Sequence, residues 1–201
     1  MSLLLEPPPT KSTRSAGTTD YKPFGNAEAR NGLQARLEIP AMIRALGLPI
    51  GVDILEIGCG RGIALPVLSE RLMPTSLVGL DNDPALVALA EERVSATGID
   101  ARVIEGDARR MRFENESFDV VIDFGTCYHV SGGIAGSRSV LREVDRVLRP
   151  GGWFVQETRV AQVLAHPVRS LGRALPWKDV PTLQPFRSAG LWAVRRKLSS
   201  S

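Results

Sequence analysis

The chain has 201 residues, 43% of them hydrophobic and 23% charged, with 25 basic and 22 acidic side chains, an ordinary composition for a globular chain of about one domain's length. No run of 18 apolar residues exists, which excludes a transmembrane helix. The opening MSLLL meets Glu6 and three prolines, so no signal-peptide core forms. Two cysteines and two histidines are too few for a disulfide framework or a structural zinc site, and a cytoplasmic protein without a metal is expected. The charge is uneven: residues 1–149 carry 17 basic and 20 acidic side chains, residues 150–201 carry 8 and 2. The basic end could attract an acidic substrate, nucleic acid or a membrane surface, or simply form a solvated face, and no aromatic-interleaved basic stripe points to nucleic acid specifically.

Residues 1–20, rich in Pro, Ser and Thr, read as a disordered leader. Residues 26–46 are helical in pattern but interrupted at Pro40, which predicts two short helices meeting there; Gly47 stops the second. An apolar strand over 52–57 runs into a glycine cluster, followed by a helix over 63–72. A second strand over 77–80 ends at Asp81. Asp83 then Pro84 form an N-cap and first helical residue, opening a helix with Leu86, Leu89, Ala90 and Val94 on one face and Gly98 at its end. Strands follow over 101–105 and 118–123, the latter apolar on both faces. A helix over 137–148 carries a stripe of Val140, Leu141, Val144, Val147 and Leu148. Arg149, Pro150, Gly151 and Gly152 stop it and lead to a fifth strand over 153–157. This alternation predicts an α/β fold, a doubly wound, mostly parallel sheet with helices on both faces.

The chemistry gathers at the first turn. Gly58, Gly60 and Gly62 follow the first strand at spacings of two, and glycines there let backbone approach a ligand without Cβ interference. A dinucleotide site would read G-x-G-x-x-G; here the third glycine arrives one residue early and Glu56 precedes the first by two. A carboxylate beside the loop opposes a pyrophosphate and suits a ligand with an ammonium group. Asp81 ends the second strand 21 residues beyond Gly60, where a carboxylate can accept from ribose hydroxyls. Asp83 holds the better capping position, which leaves Asp81 for a ligand.

Glu56-x-Gly58-x-Gly60-x-Gly62, the strand-end Asp81, the Gly106-Asp107 pair and the run LREVDRVLRPGG over 141–152 resemble a class I S-adenosylmethionine-dependent methyltransferase. The small-molecule group that includes the ubiquinone and menaquinone methyltransferases is the most similar in flavour. The resemblance covers about residues 54–158 and implies a Rossmann-like sheet with an antiparallel C-terminal strand. It implies a single domain over 21–201: N-terminal helices and a lid over 21–50, a cofactor-binding core over 51–158 and a short C-terminal part over 159–201. It also implies that Glu56 and the backbone of Gly58, Cys59 and Gly60 hold the methionine moiety. Asp81 would bind the ribose and Asn82 would pack beside the adenine. Asp107 would accept from the adenine amino group while the Ala108 N–H faces a ring nitrogen, and Phe124 would complete the cofactor set.

In such enzymes the segment 123–130 lies between the methyl group and the acceptor. It lacks the Asn/Asp-Pro-Pro-aromatic and Pro-Cys sequences of nucleic-acid methyltransferases, so the expected acceptor is a small molecule. Cys127 reads as a packed residue, while His129 reads either as a general base or as a loop histidine bonded to backbone. Tyr21 and Phe24 read as a lid or as anchors of the leader. After the fifth strand, a helix over 160–175 and a strand over 191–196 leave little roof for a substrate, so the acceptor wall comes from the N-terminal helices, the segment around His129, or a second subunit in a homo-oligomer. Two other readings stay open: a nicotinamide-dependent oxidoreductase, and a non-catalytic cofactor-binding subunit.

Overall fold

The computed structural model describes residues 31–161 and 174–199. The strands are β1 (Asp53–Ile57), β2 (Ser76–Asp81), β3 (Arg102–Glu105), β4 (Phe118–Asp123), β5 (Leu148–Glu157), β6 (Leu183–Ala189) and β7 (Trp192–Lys197). They form one sheet in the order β3-β2-β1-β4-β5-β7-β6. Strands β1 to β5 pair in parallel, and β7 runs antiparallel to both β5 and β6. The helices are α1 (Ile39–Leu46), α2 (Ala64–Leu72), α3 (Pro84–Thr97), the single turn α4 (Thr126–His129) and α5 (Gly133–Val147). The strand order reverses direction at β1 and β4, and at such a switch point the loops after the strands part to leave a crevice.

Because the strands alternate faces, each feeds two cores. Leu55, Val121 and Phe154 pack with Val140, Leu141 and Val144 of α5, whereas Ile54, Val120 and Val155 pack with α1 and α2. The expected α5 stripe is wholly buried. Arg149 ties the N-terminal ends of the central strands, donating to Asp119 and Asp53 at 2.7 Å each.

Four expectations are corrected. Pro40 does not separate two helices: the backbone stays helical through Glu38, and Gln34–Glu38 widens into a π-turn. A proline here lacks an N–H for the residue 36 carbonyl and crowds it, which a wider turn relieves. On α3, Val87 and Ala90 are buried while Leu89 is 38% exposed. The helix is rotated so that Ala90 sits against Gly62, whose Cβ position lies 3.0 Å from the alanine methyl. Helix α5 begins a full turn early, at Gly133; the weak helix formers there hid it, and Gly136 is required because a Cβ would stand 2.1 Å from the Ser131 carbonyl oxygen. Residues 149–152 do not precede the fifth strand but bulge within it, since Leu148 already pairs with Phe118. The proposed leader over 1–20, Tyr21, Phe24, His166 and most of the helix expected over 160–175 lie outside the described residues.

Candidate functional site

Strands β1, β2 and β4 each bring a carboxylate to their carboxyl ends: Glu56, Asp81 and Asp123. They are 3%, 8% and 1% exposed. None joins an ion pair among the described residues. Burial, reinforced by the charges of Asp81 and Asp123, pushes the Glu56 carboxyl up to about 8. Its Oε2 is buried without a hydrogen-bond partner among the described residues. A carboxylate so placed is stabilised by a proton or by a cation brought from outside.

The glycine loop closes over these groups. Gly58 and Cys59 donate their N–H groups to the Leu80 carbonyl at 2.7 and 3.0 Å, Gly60 donates to Asp81 Oδ2 at 2.8 Å, and Gly62 donates to the Cys59 carbonyl at 2.9 Å. A phosphate cradle needs such amides unengaged, and here four are bonded within the protein. Gly58 has φ of 68° and Gly60 of 55°. A Cβ on Gly58 would lie 1.9 Å from Thr126 Oγ1, whereas one on Gly60 would meet only open space. Gly58 therefore lets α4 close on β1, and Gly60 leaves the backbone bare toward a ligand. Cys59 turns its Sγ onto Gly79, and burial pushes its thiol up, so its side chain is wall.

Asp83 caps α3 by accepting the Ala85 N–H at 2.9 Å, as the sequence predicts. Asp81 is nevertheless engaged by protein on both oxygens, because Oδ1 accepts the Asp83 N–H at 3.0 Å. Each oxygen keeps a further lone pair for a hydroxyl. Asn82 beside it is exposed. The Asp81 carbonyl accepts the Gly106 N–H at 2.8 Å, bringing the loop after β3 alongside. There Asp107 is gripped by Arg109 through Nε, Nη2 and the backbone N–H, while Arg109 Nη1 donates to Ser131 Oγ at 2.8 Å. Burial raises the Asp107 carboxyl, but these bonds outweigh it and hold it below the usual carboxylate range. Ala108 is buried beside it.

Asp123, which the sequence reading passed over, organises the next segment. Its carboxylate accepts the N–H groups of Gly125, Thr126 and Cys127, capping α4, and burial raises its carboxyl despite those bonds. Thr126 donates its hydroxyl to the Ile57 carbonyl at 3.1 Å, locking the turn to the end of β1. The only signal for Asp123 was its position at a strand end, the one that marked Asp81. Cys127 is fully buried with its thiol pushed well up by burial, which removes it as a nucleophile. His129 closes the turn half-buried, its N–H donating to the Gly125 carbonyl at 3.1 Å. Phe124 packs toward the α1 and α2 core.

Residues 54–152 match the family described as a methyltransferase domain. Over 106 residues the chain is 40% identical to the phthiotriol/phenolphthiotriol dimycocerosates methyltransferase of Mycobacterium tuberculosis, covering 52% of this chain and 36% of that protein. It is 35% identical over 103 residues to the demethylmenaquinone methyltransferase of Thermus thermophilus, covering 51% and 44%. The matches thus span less than half the length of these curated relatives. A SAM-dependent methyltransferase from Aquifex aeolicus shares the fold with a TM-score of 0.64 at 15% identity, over 83% of this chain and 93% of its own. The PH0226 protein of Pyrococcus horikoshii does so with a TM-score of 0.63 at 19% identity, over 86% and 92%.

Proposed function

Since this chain belongs to the class I S-adenosylmethionine-dependent methyltransferases, we propose that it transfers a methyl group from that cofactor to an O, N or C nucleophile of a small molecule. The observation that carries the reading is Glu56, a buried carboxyl raised to about 8 beside two more carboxylates, with one oxygen unpartnered. No described residue pairs a cation with these three carboxylates, and the cofactor carries an ammonium group, so the residues present fit it. Glu56 would hold that ammonium, and the backbone of Gly58 and the open backbone at Gly60 would lie along the methionine chain. Asp81 would accept from the ribose, and Asn82, Asp107 and the Ala108 N–H would surround the adenine, with Cys59 and Phe124 as wall. The engaged amides of the loop argue against a pyrophosphate, and so against a nicotinamide dinucleotide.

When bound, the cofactor supplies a methyl group already activated by its sulfonium. The work left to the chain is placement, and well-aligned reacting groups gain about 7–11 kcal/mol from proximity. Asp123 caps α4 and Thr126 locks it to β1, and together they would fix the approach of His129. That histidine takes the acceptor's proton, which adds roughly 10²–10⁴-fold. A cytoplasmic setting is supported by Cys59 and Cys127, both free, and no described helix is long and apolar enough to cross a membrane. The segment 123–130 supports a small-molecule acceptor over nucleic acid.

The test is S-adenosylhomocysteine formation by the isolated chain offered S-adenosylmethionine and a panel of small phenols, acids and amines. Turnover by the chain alone supports catalysis. Cofactor binding with turnover only after a partner is added would favour a non-catalytic subunit.

A further inference from the structure

The loop after β3 crosses to β4 past β2 and β1, which lie between them in the sheet order, a span of roughly 14 Å at ordinary strand spacing. Its far half is pinned to α5. The Met111 N–H donates to Glu143 Oε2 at 2.6 Å, and Arg146 donates to the Met111 and Phe113 carbonyls at 3.0 and 2.7 Å. Its near half, tied to Asp81 through the Gly106 N–H, carries Asp107, Ala108 and Arg109. Arg109 commits all three guanidinium nitrogens here. Nε lies 2.9 Å from both Asp107 oxygens, Nη2 donates to Oδ2 at 2.6 Å, and Nη1 donates to Ser131 Oγ at 2.8 Å.

Ser131 is a firm anchor for that fork. It lies between the end of α4 and the Gly132–Gly133 pair, whose φ values are 87° and 57°, and its carbonyl abuts Gly136. The Arg109 and Asp107 side chains are 36% and 38% exposed, and an ion pair so open to water adds little stability. What a planar fork held at both ends supplies is direction. Burial raises the Asp107 carboxyl, but the Arg109 bonds hold it below its usual range, so it accepts and does not donate. The backbone N–H, Nε and Nη2 of Arg109 bring three protons to it. A carboxylate offers about four acceptor positions, which leaves about one for a donor from outside.

We propose that Arg109 is a positioning residue for the cofactor's base: anchored on Ser131, it aims the open acceptor position of Asp107 at the adenine amino group and so sets the choice between a 6-amino and a 6-oxo purine. The proposal rests on the methyl-transfer reading above, in which Asp107 and the Ala108 N–H face the base. A 6-oxo purine reverses both groups on that edge, presenting an acceptor to Asp107 and a ring N–H to the Ala108 N–H. Lysine at position 109 would keep the charge but, as a point donor, could not hold Asp107 and Ser131 in one plane.

The test is calorimetric titration of the full chain with S-adenosylhomocysteine and with S-inosylhomocysteine, its 6-oxo counterpart. The unmodified chain is expected to bind the adenosyl compound at least about 30-fold more tightly. Arg109→Met should cut that ratio at least about fivefold, and Arg109→Lys should restore part of it. Ser131→Ala should cut the ratio about threefold and have no further effect in the Arg109→Met background, because the two residues act as one unit. A residue that merely held the fold would lower both affinities together and leave the ratio unchanged. Equal affinities in the unmodified chain overturn the proposal. So does a ratio within about twofold of the unmodified chain's in Arg109→Met, or in Ser131→Ala should the arginine variant not fold. In each case the methyl-transfer reading stands if S-adenosylhomocysteine binds. Binding of neither nucleoside by the unmodified chain overturns both.

Discussion

Asp81 reaches from the end of β2 to hold Gly60, its Oδ2 accepting the glycine N–H at 2.8 Å. Its Oδ1 holds Asp83 and its carbonyl holds Gly106, so one residue braces the loops after β1, β2 and β3. Replacing it with alanine strips two backbone N–H groups of a charged acceptor, a bond type that contributes about 1.5–3 kcal/mol each. It also removes the acceptor assigned to the ribose. Asp81→Ala is expected to weaken S-adenosylhomocysteine binding by at least about 100-fold, read by calorimetry. Unchanged affinity would remove Asp81 from the site.

Gly58 and Thr126 form a second coupled pair. Gly58→Ala places a methyl 1.9 Å from Thr126 Oγ1 on a backbone with φ of 68°, which should cost about 2–4 kcal/mol in urea unfolding. In a Thr126→Ala background the same change should cost at least about 1 kcal/mol less, because the clash is gone and the backbone strain remains. Additive costs would show that the two residues do not meet.

Glu56 predicts a pH signature. Its carboxyl is raised from an ordinary 4.5 to about 8 by burial and by two neighbouring carboxylates. Between those values the unfolded chain is ionised and the folded chain still protonated, so stability falls as pH rises through this window. Glu56→Gln removes that loss. It should leave stability near pH 4 little changed and raise it at pH 8 by roughly 2–4 kcal/mol, while weakening S-adenosylhomocysteine binding. Urea titrations at the two pH values read the first effect. The same ionisation implies that S-adenosylhomocysteine binding at pH 6.5 releases about one proton, measurable as a dependence of the calorimetric heat on the buffer's ionisation enthalpy. Heat that does not vary with buffer would contradict the assignment.

His129 separates binding from chemistry. His129→Ala should leave S-adenosylhomocysteine affinity within about twofold and lower kcat by about 10²-fold or more, with loss of one limb of the pH–rate profile. An unchanged kcat would assign the histidine to the loop alone.

The parts of this molecule written in local chemistry were legible in the sequence. The Asp83-Pro84 cap and the apolar strands β1 to β4 depend mainly on local pattern and fold as read, and the glycine spacing marked the turn from Glu56 to Gly62, although Leu80, Asp81 and Thr126 complete it. What was not legible depends on distant partners. The rotation of α3 follows from Ala90 meeting Gly62, not from its own apolar stripe. The π-turn before Pro40 relieves a backbone clash that a hydrophobic pattern does not register. Asp123 carries no motif of its own; its role appears only when β4 stands beside β1 and Thr126 reaches the Ile57 carbonyl. Arg109 lies two residues from Asp107, yet only the fold shows that it bridges to Ser131.

The most direct test is thermal unfolding of the chain with S-adenosylhomocysteine and, in parallel, with NAD. A ligand at 100 times its Kd stabilises by about 2.7 kcal/mol, which for a chain of this size is roughly 5–10 °C in Tm. A shift of that size with S-adenosylhomocysteine, none with NAD, and loss of the shift in Glu56→Gln is the expected result. A shift with NAD alone, or an undiminished S-adenosylhomocysteine shift in Glu56→Gln, would contradict the central claim that this buried carboxylate binds the cofactor's ammonium.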